Sequence, residues 1–123
     1  MAWKFESGIP LTQQIADRIR REIILGVYER GADFPTVRQL AAQASVNPNT
    51  MQKALTLLEE EGLLVCHGTA GRAVTDSDEA ISDARRLSVN SFLGKFICEA
   101  SLYGIERDEL ADLVRRYEDD GKQ

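Results

Sequence analysis

Two helix-start signals that are separated by one short helical segment constrain the fold of this chain most strongly. In the run Thr36-Val37-Arg38-Gln39, the side chains of Thr36 and Gln39 can each satisfy a free backbone amide at a helix start. In Asn47-Pro48, Asn caps a second helix and Pro occupies its first position. Because Ser45-Val46 leaves room only for a tight turn, the two signals predict a helix-turn-helix.

The segments on either side of these two helices extend the motif. From Leu11, the residues Ile15, Ile19 and Ile23 recur every fourth position, which predicts a helix that ends near Gly26. After the second signal, residues 63–66 and 72–75 favour strands around a glycine-bearing tip. The order helix, helix, turn, helix, hairpin is that of a winged helix-turn-helix, whose third helix can enter a DNA major groove.

The remaining residues predict a helical appendage, so that the expected domains are a winged helix-turn-helix over 1–75 and a dimerisation region over 76–123. A long helix before Gly104 and a short one from roughly Arg107 to Asp119 carry more apolar surface than two helices bury alone, and residues 119–123 should fray. We therefore expect a second copy of the chain as the partner. The predicted dimerisation residues are Leu87, Phe92, Leu93, Phe96, Ile97, Ala100, Leu110, Leu113 and Val114.

A second interpretation of the apolar appendage is a binding pocket for a small-molecule effector near Phe92 and Phe96. A dimer core and a ligand pocket have the same sequence pattern, so that the sequence leaves both interpretations open. The fold class in either case is mainly α, with one small β-hairpin.

The formal net charge of −5 argues against a nucleic-acid partner when it is taken over the whole chain. Residues 1–75, however, hold eight basic and eight acidic side chains, a net charge of 0, and residues 76–123 hold seven and twelve, a net charge of −5. The segment between Asp33 and Glu59 contains the basic residues Arg38 and Lys53 but no acidic residue. The two predicted motif helices are therefore locally basic, which suits contact with phosphates at short range.

The residue inventory gives no support to catalysis or to a metal site. The sequence contains one His, no Cys-x-x-Cys motif and no glycine-rich phosphate-binding loop. It therefore lacks a recognisable set of catalytic groups, and we expect neither an enzyme nor a cofactor. The two cysteines, Cys66 and Cys98, are expected to be reduced thiols that pack inside a cytoplasmic protein. No stretch approaches the length of a membrane span, and no membrane partner is expected.

Several separate motifs, in the right order, resemble the GntR-type bacterial transcription regulators and their short YtrA-like branch. They are Pro10-Leu11, Gln14-Ile15-Ala16-Asp17, Ile19-Arg20, Phe34 to Ala41, Val46 to Thr50, Gln52 to Leu55, Leu58 to Leu63 and Gly71-Arg72. The resemblance implies that Arg38 contacts DNA from the first motif helix. It also implies that the second motif helix reads DNA through Asn47, Asn49, Thr50, Gln52 and Lys53.

The predicted DNA-binding surface adds the hairpin tip, because a wing can reach the minor groove or its phosphates. The complete set is Thr36, Arg38, Asn47, Pro48, Asn49, Thr50, Gln52, Lys53, His67, Gly68, Thr69 and Arg72. We expect a homodimeric, sequence-specific regulator, a repressor, that binds double-stranded DNA at a roughly palindromic operator. The alternative is a protein-interaction module that has a winged-helix core but does not read DNA.

Overall fold

The elements follow one another in the predicted order in a computed structural model that describes residues 3–118. The helices are α1 (Leu11–Ile24), α2 (Val37–Ala44), α3 (Pro48–Glu60), α4 (Asp78–Ser101) and α5 (Arg107–Arg116), and the strands are β1 (Leu64–Cys66) and β2 (Arg72–Val74). A short 3-10 turn, Gly68–Ala70, forms the hairpin tip. The predicted fold class is thereby confirmed. The expected end of the last helix at Asp119 and the fraying tail lie outside the described residues.

Both helix-start signals form the caps that the sequence predicts. The Thr36 hydroxyl accepts from the Gln39 amide at 3.1 Å, and the Gln39 side-chain oxygen accepts from the Thr36 amide at 2.9 Å. The Asn47 side-chain oxygen accepts from the Asn49 amide at 2.7 Å, and Pro48 is the first residue of α3. These caps fix the start of each motif helix.

The turn between α2 and α3 has one unfavourable backbone position. Ser45 adopts the left-handed conformation, with φ 58° and ψ 48°, although it is not a glycine. The amide of the next residue, Val46, then donates to the Ala41 carbonyl at 3.1 Å, which closes the end of α2. The tight turn therefore depends on a conformation that costs a non-glycine residue free energy.

A core shared by α1, α2 and α3 holds the motif together. α1 and α2 both pack against α3, and β1 packs against α3 from the hairpin. The fully buried side chains include Ile15 and Ile19 of α1 and Met51, Leu55 and Leu58 of α3. Trp3 and Phe5, which precede α1, are partly buried and pack against this core.

The hairpin is held by a segment that the sequence did not identify as a strand. β1 and β2 pair antiparallel, with Leu64 opposite Val74 and Cys66 opposite Arg72. The loop before α2 runs along the other edge of β2: the Val74 amide donates to the Ala32 carbonyl at 2.9 Å, and the Phe34 amide donates to the Arg72 carbonyl at 2.8 Å. The wing is thus a small sheet in which this loop covers the outer edge of β2.

The chain divides into two compact units, residues 1–85 and 86–123. Ile81 and Ala84 of α4 are buried in the same core as α1, α2 and α3, so that the first unit extends past the composition change at residue 75. The buried Thr75 orders the chain just before α4, because its hydroxyl accepts a hydrogen bond from the Ser77 amide at 3.1 Å. The early turns of α4 therefore belong to the winged-helix core.

The expectation that the two cysteines pack in the interior is wrong for the described chain. Cys66 lies on β1 and Cys98 lies on α4, and both are free thiols with exposed side chains. Cys66 lies on the same face of β1 as the buried Leu64, but the core ends at Leu64, and both Val65 and Cys66 are exposed.

Candidate nucleic-acid interface

The start of α2 presents an exposed donor and an exposed cation. The Thr36 hydroxyl acts as an acceptor in the cap, so that its own proton can be donated to a phosphate oxygen. Arg38 is exposed on the first turn, and within residues 3–118 no carboxylate pairs with it. The first motif helix therefore offers a donor and an unneutralised guanidinium at one end.

The start of α3 presents the polar residues of the predicted reading helix. Asn47, Pro48 and Asn49 are exposed, and Thr50 is half-buried. Since the oxygen of the Asn47 side chain caps the helix, its amide nitrogen is left to donate to DNA. The free amides and the dipole of a helix start also favour a phosphate, and the first turn of α3 contains no acidic residue that would oppose one.

One turn further along α3, Gln52 and Lys53 are exposed. The Gln52 side-chain nitrogen donates to the Thr56 hydroxyl at 3.4 Å. A hydrogen bond of this length is weak, so that a base edge can replace the Thr56 hydroxyl as the partner of Gln52. Lys53, like Arg38, has no carboxylate partner in the described part of the chain. The exposed face of α3 therefore combines an amide that can read a base with a charge that can hold a phosphate.

Several other arginines of the first unit are neutralised by acids. Arg18 lies 3.5 Å from Glu22 and also stacks 4.1 Å from the centre of the Trp3 ring. Arg20 pairs with Asp17 and Glu61, and Arg30 pairs with Asp78. The unpaired cations of α2 and α3 therefore differ in their electrostatic environment from these structural arginines.

The wing tip is open, but one predicted wing residue is not. His67, Gly68 and Thr69 are exposed, and the His67 amide closes the tip by donating to the Gly71 carbonyl at 2.7 Å. Arg72, in contrast, has a side chain that is only 14% exposed, and its Nε lies 3.2 Å from Oε2 of Glu59. The structure thus brings Arg72 to the end of α3, and a DNA contact by any of the four residues stays a prediction.

Two of the three acidic residues at the end of α3, Glu59 and Glu61, have basic partners that the sequence does not reveal. Arg20 donates to Glu61 from Nε at 2.8 Å and from Nη2 at 2.6 Å, and Glu59 pairs with Arg72. The hydrogen bond to Glu61 raises the pKa of Arg20 above its usual value, since it favours the charged guanidinium. Acids oppose the dipole at a helix C-terminus, and this conflict is the sequence signal that could have pointed to cationic partners.

The second unit carries a set of exposed apolar side chains that matches most of the predicted dimerisation residues. The exposed members are Leu87, Phe92, Leu93, Phe96, Leu113 and Val114, with Phe92 61% exposed. Ile97 and Ala100 are half-buried. Leu110 differs from the rest, because it is buried within the chain itself and offers little surface to a partner.

No group of three or more His, Cys, Asp or Glu side chains within residues 3–118 could hold a metal ion. None of the described helices is long and apolar enough to cross a membrane.

Comparison with known proteins identifies close counterparts of this arrangement. The sequence profile described as bacterial regulatory proteins, gntR family, matches residues 11–74. The uncharacterized HTH-type transcriptional regulator YhcF of Bacillus subtilis is 25% identical over 118 residues, which are 96% of this chain and 98% of YhcF. The HTH-type transcriptional repressor YtrA of the same bacterium is 26% identical over 117 residues, 94% of this chain and 90% of YtrA.

A solved structure shares both the fold and the sequence pattern. A GntR family transcriptional regulator from Listeria monocytogenes superposes with a TM-score of 0.86 at 31% identity, covering 93% of this chain and 100% of that one. The similarity therefore includes the helices after the hairpin.

Proposed function

Because the chain belongs to the gntR family of bacterial regulatory proteins, and is thus a transcriptional regulator with a DNA-binding domain rather than an enzyme, we propose that it is a homodimeric repressor of a roughly palindromic operator. One observation carries the proposal. The exposed polar and basic groups at the starts of α2 and α3 are unneutralised, in a stretch of chain between Asp33 and Glu59 that contains no acid.

In the proposed complex, α3 lies in the major groove and the start of α2 contacts the sugar-phosphate backbone. Arg38, Lys53 and the Thr36 hydroxyl bind phosphates, which positions the domain without reading sequence. Asn49 and Gln52 read base edges, since a side-chain amide can pair in bidentate fashion with adenine. The exposed tip residues His67 and Thr69 reach the neighbouring minor groove or its phosphates.

The proposed dimer uses the apolar residues of the second unit. Side chains such as Phe92 and Phe96 expose apolar surface that association would remove from water. A two-fold dimer places two reading helices on half-sites about one helical turn apart, roughly 10–10.5 base pairs. The same residues could line an effector pocket, and a dimer can accommodate both uses at its interface.

Repression is proposed from the similarity to YtrA, which is described as a transcriptional repressor. A dimer bound to an operator within a promoter would occlude that promoter, and the protein would act in the cytoplasm, where bacterial DNA resides. No cofactor is needed for this action, because the proposed contacts come from the side chains of the protein.

Titration of labelled DNA from the protein's own upstream region, at several salt concentrations, tests DNA binding. We expect affinity to fall steeply with salt, and Arg38→Ala to weaken binding and reduce the salt slope by about one unit, as loss of one phosphate contact does. Arg21→Ala is the matched control, because Arg21 is also an exposed arginine but lies in the last turn of α1, outside the two motif helices. Undetectable binding to every upstream fragment would contradict the proposal and favour the protein-interaction alternative.

A separate experiment tests the dimer. Phe96→Asp places a charge in the proposed interface and should give a monomer by light scattering, with weaker operator binding. Leu25→Asp is the control, since Leu25 is an exposed apolar residue just after α1 in the first unit, and this variant should remain dimeric. A dimeric Phe96→Asp protein would place the interface elsewhere.

A further inference from the structure

We propose that Glu59 is a positioning residue for operator binding, because its ion pair with Arg72 fixes the wing against the end of the reading helix. The proposal rests on DNA binding as described above. It assigns a role in recognition to an acid that touches no DNA, and it gives Arg72 a structural role in place of the predicted phosphate contact.

The geometry of the pair supports this role. Glu59 lies in the last turn of α3, and Arg72 is the first residue of β2. Arg72 Nε lies 3.2 Å from Glu59 Oε2, and the two side chains are only 14% and 22% exposed. Since this Nε has no well-aligned hydrogen-bond acceptor among the described residues, the contact is an ion pair held by charge and burial. Loss of either partner would leave the other charge partly buried and uncompensated.

Arg72 is also where the parts of the wing meet. Its carbonyl accepts from the Phe34 amide of the loop before α2, and across the hairpin it pairs with Cys66 of β1. The turn that carries the exposed tip ends at Gly71, the residue before Arg72. A contact that holds Arg72 on α3 therefore holds the base of the tip at a defined distance from the reading helix.

Glu59 carries an electrostatic cost that makes its presence informative. A negative charge near the reading helix repels the phosphate backbone, and it also opposes the dipole at the end of α3. Neutralising Glu59 should thus have two opposite effects on operator affinity: weaker repulsion raises it, whereas a loosened wing lowers it. Glu60 is one residue away, is exposed and has no ion pair in the described chain, so that its neutralisation has only the first effect.

The test compares full-length Glu59→Gln with full-length Glu60→Gln on the same operator fragment at several salt concentrations. We expect Glu60→Gln to bind as well as the unmodified protein or slightly better. We expect Glu59→Gln to bind about 5-fold more weakly than Glu60→Gln, the size of a typical indirect coupling. Its salt slope should match that of Glu60→Gln, because the phosphate contacts proposed for Arg38 and Lys53 are kept.

Hydroxyl-radical footprinting provides a readout that a simple loss of stability would not produce. In Glu59→Gln, protection should weaken at the flanks contacted by the wing and persist in the major groove contacted by α3. The variant Arg72→Gln should give the same footprint. The double variant should bind no more weakly than either single variant, since both break one contact.

The possible results separate the two proposals. If the unmodified protein binds DNA and the two glutamate variants have equal affinity, the positioning role is overturned and the proposed function stands. Stronger binding by Glu59→Gln, with a steeper salt slope, would also overturn it, because it would mean that the released Arg72 contacts phosphate. Absence of operator binding by the unmodified protein would instead remove the proposed function on which the positioning role rests.

Discussion

Arg20 of α1 and Glu61, the residue that follows α3, form a doubly hydrogen-bonded ion pair, with Nε to Oε1 at 2.8 Å and Nη2 to Oε2 at 2.6 Å. Bidentate pairs of this geometry are the strongest of the side-chain ion pairs. The Arg20 side chain is mostly buried, and therefore solvent screens the pair only in part. The contact joins α1 to the C-terminal end of α3.

Replacing Arg20 by Gln should lower the free energy of unfolding by about 1–2 kcal/mol, more than an exposed ion pair contributes. Urea denaturation measures this effect. Arg21→Gln, the exposed neighbour on the same helix, should change the free energy of unfolding by less than about 0.5 kcal/mol. Equal effects of the two substitutions would mean that the pair with Glu61 does not contribute.

Ser45, the left-handed residue in the turn between α2 and α3, is a position where a substitution should raise the free energy of unfolding. Ser45→Gly should stabilise the protein by about 0.5–1 kcal/mol, because glycine adopts a positive φ without steric cost. Ser45→Ala keeps the side-chain penalty and should not stabilise. Thermal unfolding of the two variants checks the difference, and a lower melting temperature for Ser45→Gly would contradict it.

Tyr28 predicts how stability responds to alkaline pH. Burial raises the pKa of its phenol above the ordinary value of 10.0, and the negative charge of Glu22, which accepts from its hydroxyl at 3.4 Å, adds to the effect. The folded state therefore favours the protonated phenol. The resulting stability is complete below the unfolded pKa and is lost as pH rises through the higher, folded pKa.

The variant Tyr28→Phe should accordingly show a smaller loss of stability above about pH 10, the ordinary tyrosine pKa. Urea denaturation across the alkaline range measures this slope. Tyr103→Phe serves as the control, because Tyr103 is exposed in the second unit, and its substitution should leave the slope unchanged. An unchanged slope in Tyr28→Phe would show that another group controls the alkaline response.

Because Ile81 and Ala84 lie in the core, a truncated protein must retain the first turns of α4 to keep its stability. A protein of residues 1–85 should fold and be monomeric by light scattering. A protein of residues 1–75 should be less stable by about 3 kcal/mol or more, since it lacks the buried Ile81 side chain and the start of α4. Urea denaturation compares the two, and equal midpoints would show that α4 is dispensable to this core.

Local signals in the sequence were sufficient to predict the helices and the hairpin. The caps at Thr36 and Asn47, and the spacing of the isoleucines in α1, act within a few residues, and the structure contains each of them. The same holds for the exposed positions at the starts of α2 and α3, because polar side chains alternate there with the apolar ones that fill the core.

The features that were missed all depend on residues that are distant in sequence. The strand-like loop at Ala32, the pair of Arg20 with Glu61 and that of Arg72 with Glu59 have no local signature. The burial of Ile81 also depends on where α4 begins relative to the core, which a change in composition at residue 75 does not report. For the same reason the sequence does not reveal that the Arg72 side chain is mostly buried beside Glu59.

Two amides of the wing, those of His67 and Val74, should differ in their protection from hydrogen exchange, because the Val74 amide donates to Ala32 outside the hairpin. An amide hydrogen exchanges with deuterium only while its hydrogen bond is broken. The His67 amide, which donates to the nearby Gly71 carbonyl, exchanges whenever the tip opens locally. The Val74 amide exchanges only when β2 separates from the loop before α2. Deuterium uptake at these two amides therefore distinguishes movement of the tip from separation of β2 and the loop before α2.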